Sequence, residues 1–197
     1  MKIVVDGFGG DNAPLSVLEG CALAVAEYDD VEIIVTGDEA NIRKVAAENN
    51  ISLDKIEIVD ANGGIDIEDE PTDILKAKKD CSMAVAFQLL AQGKGDAFVS
   101  GGSTGAIVVG ASFLVKRIKG IKRAALAPIL PTDTGCYMLM DAGANLDCRP
   151  EMLMQFGIMG SVYMNKIIKV DSPRVGLLNV GAEETKGTDL QLGAYHL

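Results

Sequence analysis

The sequence predicts an α/β fold, an open and mostly parallel β-sheet with helices on both faces. Short apolar runs of buried-strand type at residues 2–6, 31–36, 56–59 and 97–99 alternate with stretches of helical apolar spacing. Polar, Gly-rich turns stand where the runs end, as tight strand-to-helix connections require. With 48% hydrophobic and 23% charged residues in 197, the chain can bury a real core. Residues 1–197 are read as a single α/β unit.

The first strand, residues 2–6, runs into the turn Gly7, Phe8, Gly9, Gly10, Asp11, Asn12, Ala13, Pro14. Pro14 suits the first position of a helix over 15–28, with Leu15, Leu18, Ala22 and Val25 on one face. The turn falls short of a dinucleotide fingerprint, because Asn12 stands where the third Gly belongs. Asp6 and Asp11 either position a polar substrate or cap the turn. A strand at 31–36, a helix at 39–49 and a strand at 56–59 continue the alternation. Residues 60–70 form an acidic loop, read first as a solvated connection and second as a lid. Residues 71–92 read as helix, broken or continuous. There Lys76, Lys78 and Lys79 either form a solvated face or reach toward an anion at the centre of the sheet.

Residues 96–111 organise the chain. A strand at 97–99 meets Gly101 and Gly102, which permit a sharp turn, and Ser103 or Thr104 can cap the helix that follows. Unpaired N–H groups and the positive end of the helix dipole make such a start an anion site; an ordinary capped helix is the plainer alternative. Strands at 124–130 and 136–141 are joined as a hairpin through Pro131, Thr132, Asp133, Thr134 and Gly135. The turn Asp141-Ala142-Gly143-Ala144-Asn145 follows. A helix at 150–168 carries Met152, Met154, Met159 and Met164 around Gly157 and Gly160, a pattern of core or subunit interface. A strand at 174–179 leads to the turn containing Gly181, Glu183, Glu184, Lys186 and Gly187. This is no Walker A loop, since Lys186 precedes its Gly. A last helix spans 188–197. The four polar turns, at residues 6–11, 100–104, 141–145 and 179–186, are expected to gather at the carboxyl edge of the sheet as one site.

Composition narrows the chemistry. A formal net charge of −10 argues against nucleic-acid binding. The four cysteines show neither close pairing nor metal-ligand spacing, so no metal is expected and a reduced, cytoplasmic compartment fits. His196 is the only histidine, which leaves no Ser-His-Asp or Cys-His arrangement. The uncharged run 97–115 begins in a Ser/Gly/Thr turn and reads as soluble core, not a transmembrane span; no signal peptide is expected. A reaction whose nucleophile arrives with the substrate needs only anion binding, orientation and oxyanion donors.

Several blocks together carry a resemblance. They are Val5-Asp6-Gly7-Phe8-Gly9-Gly10-Asp11 with Ala13-Pro14, Ser82-Met83, the run from Val99 through Ser100 and Gly101 to Ala106, the run from Asp141 to Cys148, the run from Gln155 to Ser161, and the run from Pro173 to Gly181 followed by Glu183-Glu184 and Lys186-Gly187. The chain resembles, along its whole length, the bacterial phosphate acyltransferases of phospholipid synthesis, the PlsX family. The resemblance implies a fold like that of isocitrate dehydrogenase and phosphotransacetylase. It implies transfer of a fatty acyl group from acyl carrier protein to inorganic phosphate, giving acyl phosphate. It implies no cofactor, because phosphopantetheine belongs to the carrier. A homodimer, peripheral association with a membrane acyltransferase at the inner face, and a C-terminally truncated chain are also expected. Ser103 departs from the Asn usual in the family.

On this reading phosphate is held by Ser100, Gly101, Gly102, Ser103 and Thr104, with Asp6, Gly9, Gly10 and Asp11 beside them. Asn145, Asn179 and Lys186 are candidate catalytic donors oriented by Asp141 and Glu183, or all five only satisfy turn backbone. Lys116, Arg117, Lys119, Lys122 and Arg123, with no acidic residue between 97 and 132, are the expected docking site for the acidic carrier; basic residues ending a helix also occur without any partner. A non-catalytic phosphate-binding module and a coenzyme A-dependent phosphate acyltransferase are the alternatives.

Overall fold

A computed structural model describes Met1–Leu197. Where the sequence is read as one unit, the chain groups into two compact units, Met1–Lys116 and Arg117–Leu197.

The first unit is a doubly wound sheet. Its strands are β1 (Lys2–Asp6), β2 (Glu32–Gly37), β3 (Ile56–Asp60) and β4 (Ala97–Val99). All pair in parallel in the order β3-β2-β1-β4. Helices α1 (Leu15–Glu27) and α2 (Glu39–Glu48) connect the first three strands. The chain then crosses back through a short 3-10 helix (Pro71–Leu75) and α3 (Ser82–Ala91) to lay β4 on the other side of β1. The predicted helix over 71–92 is therefore broken. Lys76 and Lys79 in the gap are exposed. Lys78 is committed to the acidic loop, with its ammonium against Asp69, the Gly64 carbonyl at 3.3 Å and Asp66 at 4.0 Å.

Side-chain alternation along the strands explains why both faces are covered. Val5, Ile33 and Val35 point to the face closed by Leu18 and Cys21 of α1 and Ile42 and Ala46 of α2. Val4 and Ile34 point to the opposite face, against Ala86 and Leu89 of α3. Phe87 of α3 packs at a tilt of 47° against Phe98 of β4, with ring centroids 4.5 Å apart. Helix α4 (Thr104–Gly110), continued by a π-helical stretch (Ala111–Lys116), lies on this second face. A Cβ on Gly110 would collide with the Phe87 ring, so Gly permits this approach.

The second unit contains a hairpin, β5 (Ile129–Thr132) and β6 (Gly135–Met138), then α5 (Pro150–Lys166) and α6 (Asp189–Tyr195). The regular ladder is shorter than predicted. Beyond it the two arms stay joined by single bonds, Leu139 N–H to the Pro128 carbonyl and Ala142 N–H to the Leu126 carbonyl. Met152 and Phe156, one turn apart, form the buried face of α5. Thr188 and Gln191 make a capping box at the start of α6. The predicted strand at 174–179 is not present. Val175, Leu178 and Val180 are 65%, 83% and 87% exposed, and no neighbouring strand takes up their backbone groups.

Ile42 is fully buried between α2 and the sheet. Ile42→Ala should lower the unfolding free energy by about 2 to 5 kcal/mol, the usual cost of such a cavity. Urea denaturation with an unchanged m-value is the check.

Candidate functional site

The chain leaves β1 toward β2 and β3 but returns to β1's other side as β4, so the strand order reverses between β1 and β4. In open α/β sheets such a reversal marks the crevice outside the carboxyl ends of the strands where ligands bind, and the turns that follow β1 and β4 meet there. One carboxylate joins both turns. Asp6, the last residue of β1, is only 2% exposed. Its Oδ1 accepts from the Ser82 hydroxyl at 2.5 Å and the Phe8 N–H at 3.2 Å. Its Oδ2 accepts from the Ser100 hydroxyl at 2.7 Å. Ser100 Oγ accepts in turn from the Gly102 N–H at 3.0 Å. Thr36, paired with Asp6 in the sheet, donates to the Ser82 carbonyl at 2.9 Å.

Gly9 passes directly over this pair. A Cβ there would lie 2.6 Å from Ser100 Oγ and 2.7 Å from Asp6 Oδ2, so only Gly lets the first turn close on the second. Ser103 is the N-cap of α4 and its Oγ accepts from the Ala106 N–H at 3.4 Å. The Thr104 and Gly105 N–H groups, in the first helical turn, have no intrahelical acceptor. Gly10, Gly101, Thr104 and Asp11 are exposed at the rim. The structure thus brings together the two turns predicted around Asp6 and Ser100. Asp6 itself lies beneath the crevice as an acceptor of three hydrogen bonds, and holds the turn rather than its occupant.

The other two turns belong to the second unit and follow a hairpin and an irregular segment. They are not carboxyl tips of the parallel sheet, which corrects the expectation that all four turns cap one sheet edge. Asp141 closes its own turn: Oδ1 accepts from Leu126 N–H at 2.7 Å and Ala144 N–H at 3.2 Å, and Oδ2 from Asn145 N–H at 2.7 Å and the Asn145 amide at 3.0 Å. The Asn145 amide also donates to the Ala124 carbonyl at 2.8 Å, so both of its hydrogens are engaged. Asn179 likewise donates to the Lys186 carbonyl at 2.8 Å and accepts from the Val180 N–H at 2.9 Å. Glu183 and Lys186 are exposed, and the neighbouring Glu184 accepts from the Tyr195 hydroxyl at 2.9 Å.

Lys116, Arg117, Lys119, Lys122 and Arg123 are all exposed. The loop within the second unit is held to α5 by Gln155, which accepts from the Lys122 N–H at 2.8 Å and donates to the Gly120 carbonyl at 2.9 Å. Sequence reasoning missed Gln155, Thr36 and the contact role of Ser82. A Ser opening an apolar helix and a Thr ending an apolar strand were the available signals.

The family model described as "Fatty acid synthesis protein" matches residues 1–197. The chain belongs to that family. Three curated family relatives, each named "Phosphate acyltransferase", align with the whole chain: those of Clostridium botulinum (strain Loch Maree / Type A3) at 47% identity, Caldicellulosiruptor bescii at 48% and Acetivibrio thermocellus at 46%. The chain spans 59% of the length of the first two relatives and 58% of the third. Among solved structures, a phosphotransacetylase from Streptococcus pyogenes matches with a TM-score of 0.62 at 21% identity, over 87% of this chain and 55% of its own. The EutD phosphotransacetylase from Staphylococcus aureus matches at 0.60 and 20%, over 83% and 52%. These likenesses establish for this family member the fold expected from the sequence.

Asp141 gives a test of the second unit. Partial burial, the largest single influence, raises its pKa, but its hydrogen bonds together outweigh burial and hold the carboxyl below the ordinary 3.8. Its contribution to stability is therefore complete above the unfolded value and is lost as the pH falls through the lower folded one. Asp141→Asn should lower stability at neutral pH and flatten the acid limb of the profile below about pH 4. Thermal melts across that range measure both.

Proposed function

We propose that the protein transfers a fatty acyl group from acyl carrier protein to inorganic phosphate, forming acyl phosphate, and that the crevice between the β1 and β4 turns receives the phosphate. The observation that carries this reading is the pairing of Asp6 with Ser100 at the reversal of strand order, in a chain aligned throughout with phosphate acyltransferases. The Thr104 and Gly105 N–H groups and the Ser103 hydroxyl are the donors offered to the anion. A phosphate oxygen attacks the thioester carbonyl carbon, the tetrahedral intermediate collapses, and the pantetheine thiolate leaves. Phosphate is the nucleophile, so the chain has to bind and orient it and needs no nucleophilic side chain.

Loss of one charge-assisted hydrogen bond costs about 1.5 to 3 kcal/mol, so Ser103→Ala should weaken phosphate binding by more than about tenfold. Isothermal titration of the full chain with phosphate measures it, and unchanged affinity removes Ser103 from the site. Turnover is read by trapping acyl phosphate with hydroxylamine, using acyl carrier protein and coenzyme A thioesters in parallel. Preference for the coenzyme A donor moves the assignment to a coenzyme A-dependent enzyme. Phosphate binding without turnover marks a phosphate-binding module.

The carrier is acidic, and the exposed loop of Arg117, Lys119, Lys122 and Arg123, held in shape by Gln155, offers it a cationic face on a chain of net charge −10. Lys119→Glu combined with Lys122→Glu should raise the Michaelis constant for the carrier substrate and weaken its dependence on salt. A salt series in which neither changes places docking elsewhere.

A further inference from the structure

Resting on the reading that this crevice receives phosphate, we propose that the Asp6–Ser100 pair makes it selective for oxyanions that carry a proton, hydrogen phosphate over sulfate. The reason lies in where the Ser100 hydrogen goes. Asp6 Oδ2, as a carboxylate oxygen, can only accept, so the hydrogen bond of 2.7 Å between it and Ser100 Oγ uses the hydroxyl's one hydrogen. The hydroxyl oxygen keeps two lone pairs, and one of these accepts from the Gly102 N–H at 3.0 Å. What Ser100, half-buried at the crevice, has left to offer a ligand is a lone pair.

Such an oxygen recognises a P–OH and repels a bare oxyanion edge. Hydrogen phosphate carries one hydroxyl near neutral pH and can donate it to Ser100 while its other oxygens face N–H donors. Sulfate has the same shape and the same charge as the phosphate dianion, but no hydrogen to give. An oxygen of sulfate placed on Ser100 meets lone pair against lone pair, in a site where an unmade hydrogen bond is costly. Discrimination therefore rests on a proton and not on size or charge.

Asp6 acts through Ser100 and is a positioning residue. Its burial keeps it from the ligand: it is 2% exposed, and its other oxygen is taken by Ser82 and the Phe8 N–H. Those two donors also fix how a substitute would sit. In Asp6→Asn the amide oxygen must stay where Ser82 and Phe8 donate, which turns the amide N–H toward Ser100. Ser100 then accepts from Asn and releases its own hydrogen to the crevice, so the acceptor becomes a donor.

The experiment measures binding of phosphate, arsenate and sulfate to the full chain by isothermal titration, with sulfate also read as a competitor. Arsenate is protonated like phosphate and serves as the matched oxyanion. In the unaltered protein phosphate and arsenate should bind about ten to a hundred times more tightly than sulfate. Asp6→Asn should bring the ratio to about one or below it, with sulfate gaining in absolute affinity. A merely structural role for Asp6 would weaken all three anions alike, and that result overturns the proposal. Equal binding of sulfate and phosphate by the unaltered protein overturns it as well while leaving the phosphate site standing. Failure to bind any of the three overturns the site reading itself. Should Asp6→Asn not fold, Ser100→Ala removes the acceptor while keeping the Ser82 bond to Asp6; the ratio should again collapse, and an unchanged ratio refutes the proposal.

Discussion

A buried carboxylate at the end of the central strand sets the geometry around it. Asp6 holds three donors from three parts of the chain: the Phe8 N–H of its own turn, the Ser82 hydroxyl at the start of α3 and the Ser100 hydroxyl after β4. A carboxylate removed from water is costly unless its oxygens are satisfied, so the three groups are drawn to it and to one another. The turns after β1 and β4 cannot shift independently without leaving that charge short of a donor. Gly9 is the steric counterpart of the same constraint, since the first turn crosses where a side chain would strike both Asp6 and Ser100. The two turns and the buried carboxylate beneath them thus form one hydrogen-bonded unit.

The second unit applies the same device with a different result. Asp141 also gathers backbone donors, but they come from its own turn and from Leu126 on the other arm of the hairpin. Asn145 and Asn179, the residues with the most obvious catalytic chemistry in that half, turn their amides onto backbone carbonyls at 2.8 Å. These bonds order the turns. They leave the Asn145 amide oxygen and the exposed Lys186 ammonium as the groups free to meet something outside. The basic loop ahead of the hairpin is ordered similarly, with Gln155 gripping it from α5 at both Gly120 and Lys122.

Much of the fold was legible in the residues because it is governed by local pattern. The apolar runs at β1, β2, β3 and β4 alternate with helical spacing, and strand and helix periods differ enough to be told apart without tertiary information. The hairpin and α5 were legible for the same reason, with Pro150 marking the helix start. The segment 174–179 shows where pattern fails. Its apolar residues match a buried strand, yet a strand exists only when a partner takes up its hydrogen bonds, and periodicity cannot supply one. The lysines at 76, 78 and 79 were ambiguous for a related reason: only the path of the acidic loop assigns Lys78 to Asp69.

By itself the sequence determined the α/β class, the order of the elements of the first unit and, through its blocks of matching residues, the family. Each is carried by composition or by short-range spacing, which survive without coordinates. Only the tertiary structure decided that Asp6 lies under the crevice and not in it, that Ser100 spends its hydrogen on Asp6, and that Ser82 and Thr36 belong to the same network. Those facts join residues 46 to 94 positions apart. What a hydroxyl or carboxylate can offer a ligand depends on which partners have already taken its hydrogens and lone pairs, and those partners are brought together only by the parallel pairing of β1 with β2 and β4.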